Sequence, residues 1–379
     1  MEYPIHVHEI GTSDPHILAD KVTNKYYMTS SGFSIRGSFG FGRRPGTIVA
    51  MVSEDLIHWS EPVTIFDCNG TDFWGQQGYP ATEMHYINGK YYLSGTAGTP
   101  GYTRKSMILV ADNPLGPYTW LTNEPYSPPG WQTIDTTLYV DRSGHPWIVY
   151  SHEWYQVSDG QMVAQPLSDD LSRTIGGPMI LFRASEAVWG DDQIWSKTDG
   201  GGVTDGCWMH RMQNGTLIML WTTRSRLGYA MGYAKSISGE VWGPWTQMER
   251  PLYAHDGGHS MLFRRLDDNQ LMMSMHVADR GPKMLTIFEM EEKGDDLHII
   301  NEITGNWYHT VGGNALPYKK DVPCTDEPAF TRLGLSGFEA LKAEGISIRK
   351  PVRKPVKKAA AAQTKEKEES KEEIESKAE

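Results

Sequence analysis

Asp14, Asp135 and Asp205 stand at matching places in repeated stretches of this chain, and three carboxyl groups brought to one point make an acid–base site. Each opens a segment of one layout: a polar residue, a short apolar run, a turn, then a second apolar run. That second run begins twelve positions after the polar residue, at Tyr26, Trp147 and Leu217. His259 opens a fourth such segment, with its second run at Leu271, and Glu83 opens a shorter fifth, with its run at Tyr91. One carboxyl kept ionised takes a proton, and one kept protonated by burial and a negative neighbour delivers it.

Taken singly, each residue has a plainer reading. Asp14 precedes Pro15, a common turn pair, although the proline also holds the aspartate in an extended conformation. Asp135 enters an apolar run as a turn residue would. Asp205 lies in the glycine-rich "GGVTDGC", where Gly206 permits close approach of a ligand to the backbone. His259 either steadies neighbouring carboxylates, binds a central ion, or is hydrogen-bonded within the core. Glu83, like His259, is a candidate substrate-binding residue, and its plainer reading is an ion-paired strand residue. Trp74 and Trp131, just ahead of the second and third units, offer flat faces to a sugar or pack between sheets. The shared position within a repeated unit is what joins them.

Two apolar runs joined by Gly, Asn or Asp read as a β-hairpin, and five such hairpins argue radial repetition around one axis. The expected fold is all-β, a five-bladed β-propeller over residues 1–312, with blades at about 14–66, 72–122, 130–183, 202–248 and 254–310. Residues 313–348 are less periodic and are expected to close the ring or cover one face. From Arg349 to Glu379 the chain is charged and nearly free of bulky apolar residues, so a disordered tail is expected.

With 39 glycines and 22 prolines in 379 residues, turns are abundant, and 13 tryptophans and 18 tyrosines can fill cores between sheets. The net charge of −11 argues against a nucleic-acid surface. Cys68, Cys207 and Cys324 are odd in number and lack metal-ligand spacing, so they read as free thiols. No leader-like or membrane-length apolar segment occurs, which makes a cytoplasmic protein with no membrane partner the default expectation. Nucleophile-elbow, phosphate-loop, zinc-protease and dinucleotide motifs are absent from the sequence. His6, His8 and His16 lie close together, but the alternation of His6 and His8 is what a half-exposed strand produces.

The phrases "SDPHIL…NKYYM", "SEDLIHWSEP", "YPATEMHYINGKYYL", "ADNPLGPYTW", "IDTTLYVDRSGHPWIVY" and "GGHSMLF" run in order through all five units. In them the chain resembles glycoside hydrolase family 43, whose catalytic domain is a five-bladed β-propeller. The resemblance implies inverting hydrolysis of terminal furanosyl or pentosyl units: arabinofuranosyl first, with galactofuranosyl and xylosyl as alternatives. It assigns Asp14 as general base and Asp135 as the group that raises the acid's pKa. The usual acid is a glutamate in a Glu-Gly-Pro phrase. Here that phrase is "TDGC", so Asp205 aligns with the acid and Cys207 with the proline. Aspartate is one methylene shorter, which leaves Glu83 or Glu186 as alternative acids, and a non-catalytic glycan-binding propeller as the rival reading. An oligosaccharide or polysaccharide side chain is the expected partner. No cofactor is expected, and a central structural ion such as calcium, with His259 as its candidate ligand, stays open.

Overall fold

Each of the five repeated segments folds as the inner hairpin of a separate antiparallel sheet in the computed structural model. This describes residues 1–35, 45–98, 103–190, 202–225, 228–279 and 283–304, together with the backbone strands Ser38–Phe41, Tyr308–Val311 and Asn314–Pro317. The expected charged tail, most of 313–348, Cys324 and residues 191–201 lie outside these.

Counting outward from the axis, the first sheet runs His16–Asp20, Lys25–Thr29, Thr47–Ser53, with His58–Trp59 and Val63–Asp67 both pairing the third strand. The second is Glu83–Ile87, Lys90–Gly98, Arg104–Ala111 and Thr119–Trp120; the third is Thr133–Val140, Pro146–His152, Gln161–Pro166 and Met179–Arg183. The fourth is Asp205–Arg211, Leu217–Ser225, Gly228–Ser236 and Trp245–Gln247. The fifth is Gly257–Arg264, Leu271–Val277, Met284–Lys293 and Asp296–Glu302. The fold is a five-bladed β-propeller. The inner strand of the second blade starts at Glu83, well inside the expected start near 72.

The amino-terminal segment ties the ring together. Ile5–His6 pairs with His58–Trp59 of the first sheet, while Ile10–Ser13 pairs with Met284–Lys293 of the fifth through Gly11 and Met284. Between these two strands, Val7–Glu9 forms one turn of 3₁₀ helix, with the His6 side chain as its cap. His6 and His8 therefore do not alternate along one strand, because capping a helix turn satisfies backbone groups that a lone edge strand would leave open.

The apolar residues gather between blades, and five buried clusters fill the five junctions. Tyr27, Phe66, Tyr91 and Leu109 join blades one and two; Ile108, Tyr126, Ile148 and Tyr150 join two and three. Phe182, Trp221 and Trp245 pack between three and four, Tyr233, Tyr253 and Phe288 between four and five, and Ile17, Trp59, Phe263 and Ile287 between five and one. Each fully buried large side chain contributes roughly 1.5–3 kcal/mol. The cohesion thus lies around the ring and leaves the axis to polar groups.

Inner strands expose one unpaired edge to the axis, and buried backbone groups there need partners. In every blade the second strand of the preceding blade supplies one. Thr29 Oγ1 donates to Thr82 O at 2.5 Å, and the Asp135 N–H donates to Thr96 Oγ1 at 3.0 Å. Ser151 Oγ donates to Thr204 O at 2.7 Å, and the His259 N–H donates to Thr222 Oγ1 at 2.9 Å. Closing the circle, Ser274 Oγ donates to Pro15 O at 2.9 Å, and His276 Nδ1 accepts the Asp14 N–H at 3.1 Å. This stitching fixes where each inner strand begins, and the candidate site is made of those beginnings.

Candidate active site

Asp14, Asp135, Gly206 and His259 each hold φ between 53° and 58°, the left-handed region that Asp and His visit more readily than most residues. In blades three, four and five that residue sits in a β-bulge, between Ile134 and Thr137, between Asp205 and Trp208, and between Gly258 and Met261. Asp135, Gly206 and His259 are therefore equivalent by register. Asp205 is one residue ahead of the slot that the common spacing assigned to it, because the bulge spends one extra residue before pairing resumes. In blade two the left-handed residue is Ala81, at φ 50°, so Glu83 also falls outside the shared slot.

The structure brings Asp14, Asp135, Asp205 and His259 together. His259 Nδ1 lies 3.3 Å from Asp14 Oδ1 and 3.7 Å from Asp135 Oδ2. Asp135 accepts the Gly206 N–H at 2.8 Å, and its carboxyl shares a hydrogen bond with that of Asp205. Tyr229 donates its hydroxyl to Asp205 Oδ2, and Ser31 donates its own to Asp14 Oδ2. Asp14 and Asp205 are each partly exposed, Asp135 is buried, and no hydrogen bond joins Asp14 to Asp205. Two carboxyls are thus reachable, with a third buried against one of them.

Their surroundings set opposite protonation states. Burial alone would raise the Asp14 carboxyl, but His259, His276 and Lys283 outweigh it and hold the group below its ordinary value. Burial and the adjoining Asp135 push Asp205 well above a free aspartate. Burial also lifts Asp135, to about 6, against the pull of its hydrogen bonds. Asp14 is thus biased toward its ionised form and Asp205 toward its protonated form.

Several residues of this neighbourhood are absent from the sequence-based expectations. His276 accepts the Asp14 N–H, so its proton sits on Nε2, which faces Asp279 Oδ1 at 3.4 Å. Asp279 is also held by Arg224 Nη1 at 2.6 Å and Lys283 Nζ at 2.7 Å. Glu153, wholly buried just past Pro146–His152, pairs with Arg104 Nη2 at 2.6 Å, and burial lifts its carboxyl to about 6 against the pull of the Arg104 charge. A carboxylate or histidine interrupting an apolar run ("MSMHV", "YSHEW") is the faint sequence signal for both.

Other expected site residues lie elsewhere. Glu83 is buried beneath the cluster, its Oε2 3.2 Å from His85 Nε2. Glu186 is exposed and accepts the Arg183 N–H at 2.8 Å as the cap of a 3₁₀ turn, so its carboxylate serves the backbone. Trp74 packs against the core between blades one and two. Trp131 stacks on His152 at 3.9 Å and 7° and packs against the core between blades two and three. Cys68 and Cys207 are buried free thiols.

Two groups of side chains could invite an ion. Asp135, Asp205 and His259 offer atoms within 4.8 Å of one another, but calcium takes about 6–8 oxygens, and the proton shared by the carboxyls would have to leave. His16, Glu83 and His85 are equally close. There the Met84 N–H donates to His16 Nδ1 at 3.2 Å, so neutral His16 carries its proton on Nε2, which is buried without a hydrogen-bond partner. No step below passes through an ion.

Comparison with known proteins agrees with this geometry. The family model "Glycosyl hydrolases family 43" matches residues 4–292. A crystal structure of an endo-arabinase from Bacteroides thetaiotaomicron is 36% identical, covering 78% of this chain and 99% of that one, with a TM-score of 0.70. An endo-1,4-beta-xylanase from the same organism (20% identical, 79% and 98% covered, TM-score 0.61) shares the fold, as does an alpha-L-arabinofuranosidase from Lactobacillus brevis (16%, 86% and 98%, 0.60). The search of curated proteins gives no match. Five blades around a carboxyl cluster, and a family match spanning nearly all of them, make this chain a glycoside hydrolase of family 43.

Proposed function

We propose that the chain hydrolyses α-L-arabinofuranosyl units from the ends of oligosaccharide or polysaccharide side chains, with inversion at the anomeric carbon. The observation that carries the chemistry is the unequal pair: Asp205, hydrogen-bonded to buried Asp135 and pushed well above an ordinary aspartate, and Asp14, held below its ordinary value beside His259 with its backbone seated on His276. Asp14 takes a proton from the attacking water, Asp205 gives its proton to the leaving oxygen, and negative Asp135 keeps Asp205 protonated until then. Acid–base assistance of this kind contributes about 10²–10⁴-fold. The shorter acid is compensated by its place one residue ahead of the bulge, where Asp135 and the Tyr229 hydroxyl hold it from two sides.

The sugar is argued from similarity: the solved endo-arabinase is 36% identical over nearly its whole length. The same observation favours a second reading, cleavage within an arabinan chain. Aryl α-L-arabinofuranoside, β-D-xyloside and β-D-galactofuranoside, assayed with wild type and Asp14→Asn, test the proposal, and arabinan products separate the two modes. Arabinofuranoside turnover lost in Asp14→Asn supports it, with monosaccharide release marking terminal action and a ladder of oligosaccharides marking internal action. Saturable sugar binding without any turnover would instead make the chain a glycan-binding propeller.

A further inference from the structure

The most elaborate buried structure outside the reacting groups lies behind them, where five side chains connect the acid to the base. Tyr229, in the third strand of blade four, donates its hydroxyl to Asp205 Oδ2. Its ring stacks on the His276 imidazole at 5.7 Å and 16°, and Arg224 Cζ lies 5.1 Å from the ring centroid. His276 seats the Asp14 backbone through Nδ1, and Asp279 faces its Nε2 while also binding Arg224 and Lys283. One partly buried carboxylate thus grips both the cationic and the aromatic partner of Tyr229, whose hydroxyl is spent on Asp205.

We propose that Tyr229 is a positioning residue that decides which oxygen of Asp205 carries the catalytic proton, and that the His276–Asp279–Arg224 frame holds it in register with Asp14. The inference rests on the acid role given to Asp205 above. A hydroxyl donated to Oδ2 makes that oxygen the acceptor, so the acidic proton resides on Oδ1. When Asp205 releases the proton, the same hydroxyl stabilises the carboxylate left behind, a charge-assisted bond stronger than the one it made before. The proton moves from Asp205 to the glycosidic oxygen as the bond to the anomeric carbon breaks; Tyr229 keeps its own proton, its phenol being held well above its ordinary value by burial and then by Asp205.

Asp205 is faced by Asp135, His259 and Tyr229, and its charge is also felt by Glu153, Arg224 and Lys283. Removing only the hydroxyl, in Tyr229→Phe, leaves every one of those charges in place. The carboxyl titration of Asp205, followed by ¹³C NMR in Asp-labelled protein and assigned with Asp205→Asn, is expected to move to higher pH in Tyr229→Phe. In the same variant kcat should fall roughly 10- to 100-fold with KM within about twofold, and the alkaline limb of kcat should move up. A residue that merely packs would lower stability and leave both the titration and the limb where they were. An unchanged or lowered Asp205 titration overturns the proposal, whether or not the wild type turns over a glycoside. A raised titration in a protein without turnover upholds the proton placement and sinks the hydrolase reading instead. Arg224→Lys, which keeps the charge but loosens the frame, should give a smaller shift in the same direction.

Discussion

Asp135 accepts the N–H of Gly206, the residue equivalent to itself in the next blade, at 2.8 Å, and this contact lays the preceding Asp205 against the Asp135 carboxyl. A one-residue offset between neighbouring blades thus brings two acids at the axis into a hydrogen-bonded pair.

Asp205→Asn should lower kcat about 10²–10⁴-fold on a poor leaving group, while a dinitrophenyl glycoside, which needs little protonation, should lose far less. Parallel losses on both substrates would take the acid role from Asp205.

The same pair sets a pH dependence of stability. Folded-state values raised above about 3.9 give a contribution that is full below the unfolded pKa and declines as pH rises through the folded one. For Asp135 that decline falls between about pH 4 and 6, and for Asp205 it extends higher. Asparagine mimics the protonated acid, so Asp205→Asn should equal or exceed wild type in Tm at pH 8 and show a flatter Tm profile. A lower Tm for the variant at pH 8 would contradict the shared proton.

Gly206 adopts φ +58°, and a Cβ there would stand 2.8 Å from His259 Cα. Gly206→Ala combines left-handed strain with a clash against the inner strand of blade five, at a cost of about 2–4 kcal/mol. Chemical denaturation should show that loss, and kcat should fall because His259 and Asp205 both shift. A variant of unchanged stability and rate would mean the bulge tolerates a side chain.

Arg104 shields a wholly buried Glu153, and its own side chain is 38% exposed. Arg104→Met should destabilise by about 1–3 kcal/mol at pH 8, discounted for solvent screening on the arginine. Glu153 titrates at about 6, so the loss should shrink at pH 5, where the stranded carboxylate is neutral. Equal losses at both pH values would show that the charge pair contributes nothing.

Much of the architecture was legible because propeller blades repeat: Asp14, Asp135 and His259 share a position that a fixed spacing exposes. Asp205 was found by the same spacing, but its true place one residue ahead was hidden, since a β-bulge is a property of pairing rather than of composition. Glu83 shows the opposite failure. Its blade reaches the left-handed turn at Ala81, two residues early, which drops the glutamate below the cluster beside His16 and His85. Tyr229 and Asp279 left no signal and His276 only a faint one, because each lies in or beside an apolar strand and acquires meaning only from partners on other strands. Asp14 and His276 are 262 residues apart, joined only by the closure of the ring.

The stereochemistry of the first product tests the central claim most directly. Hydrolysis of an aryl α-L-arabinofuranoside followed by ¹H NMR from the first minutes should show β-L-arabinofuranose appearing before mutarotation, because the attacking water enters from the Asp14 side, opposite the leaving group. Initial release of the α-anomer would mean a covalent intermediate on one of these carboxyls and would contradict the account of two separated acids with water between them.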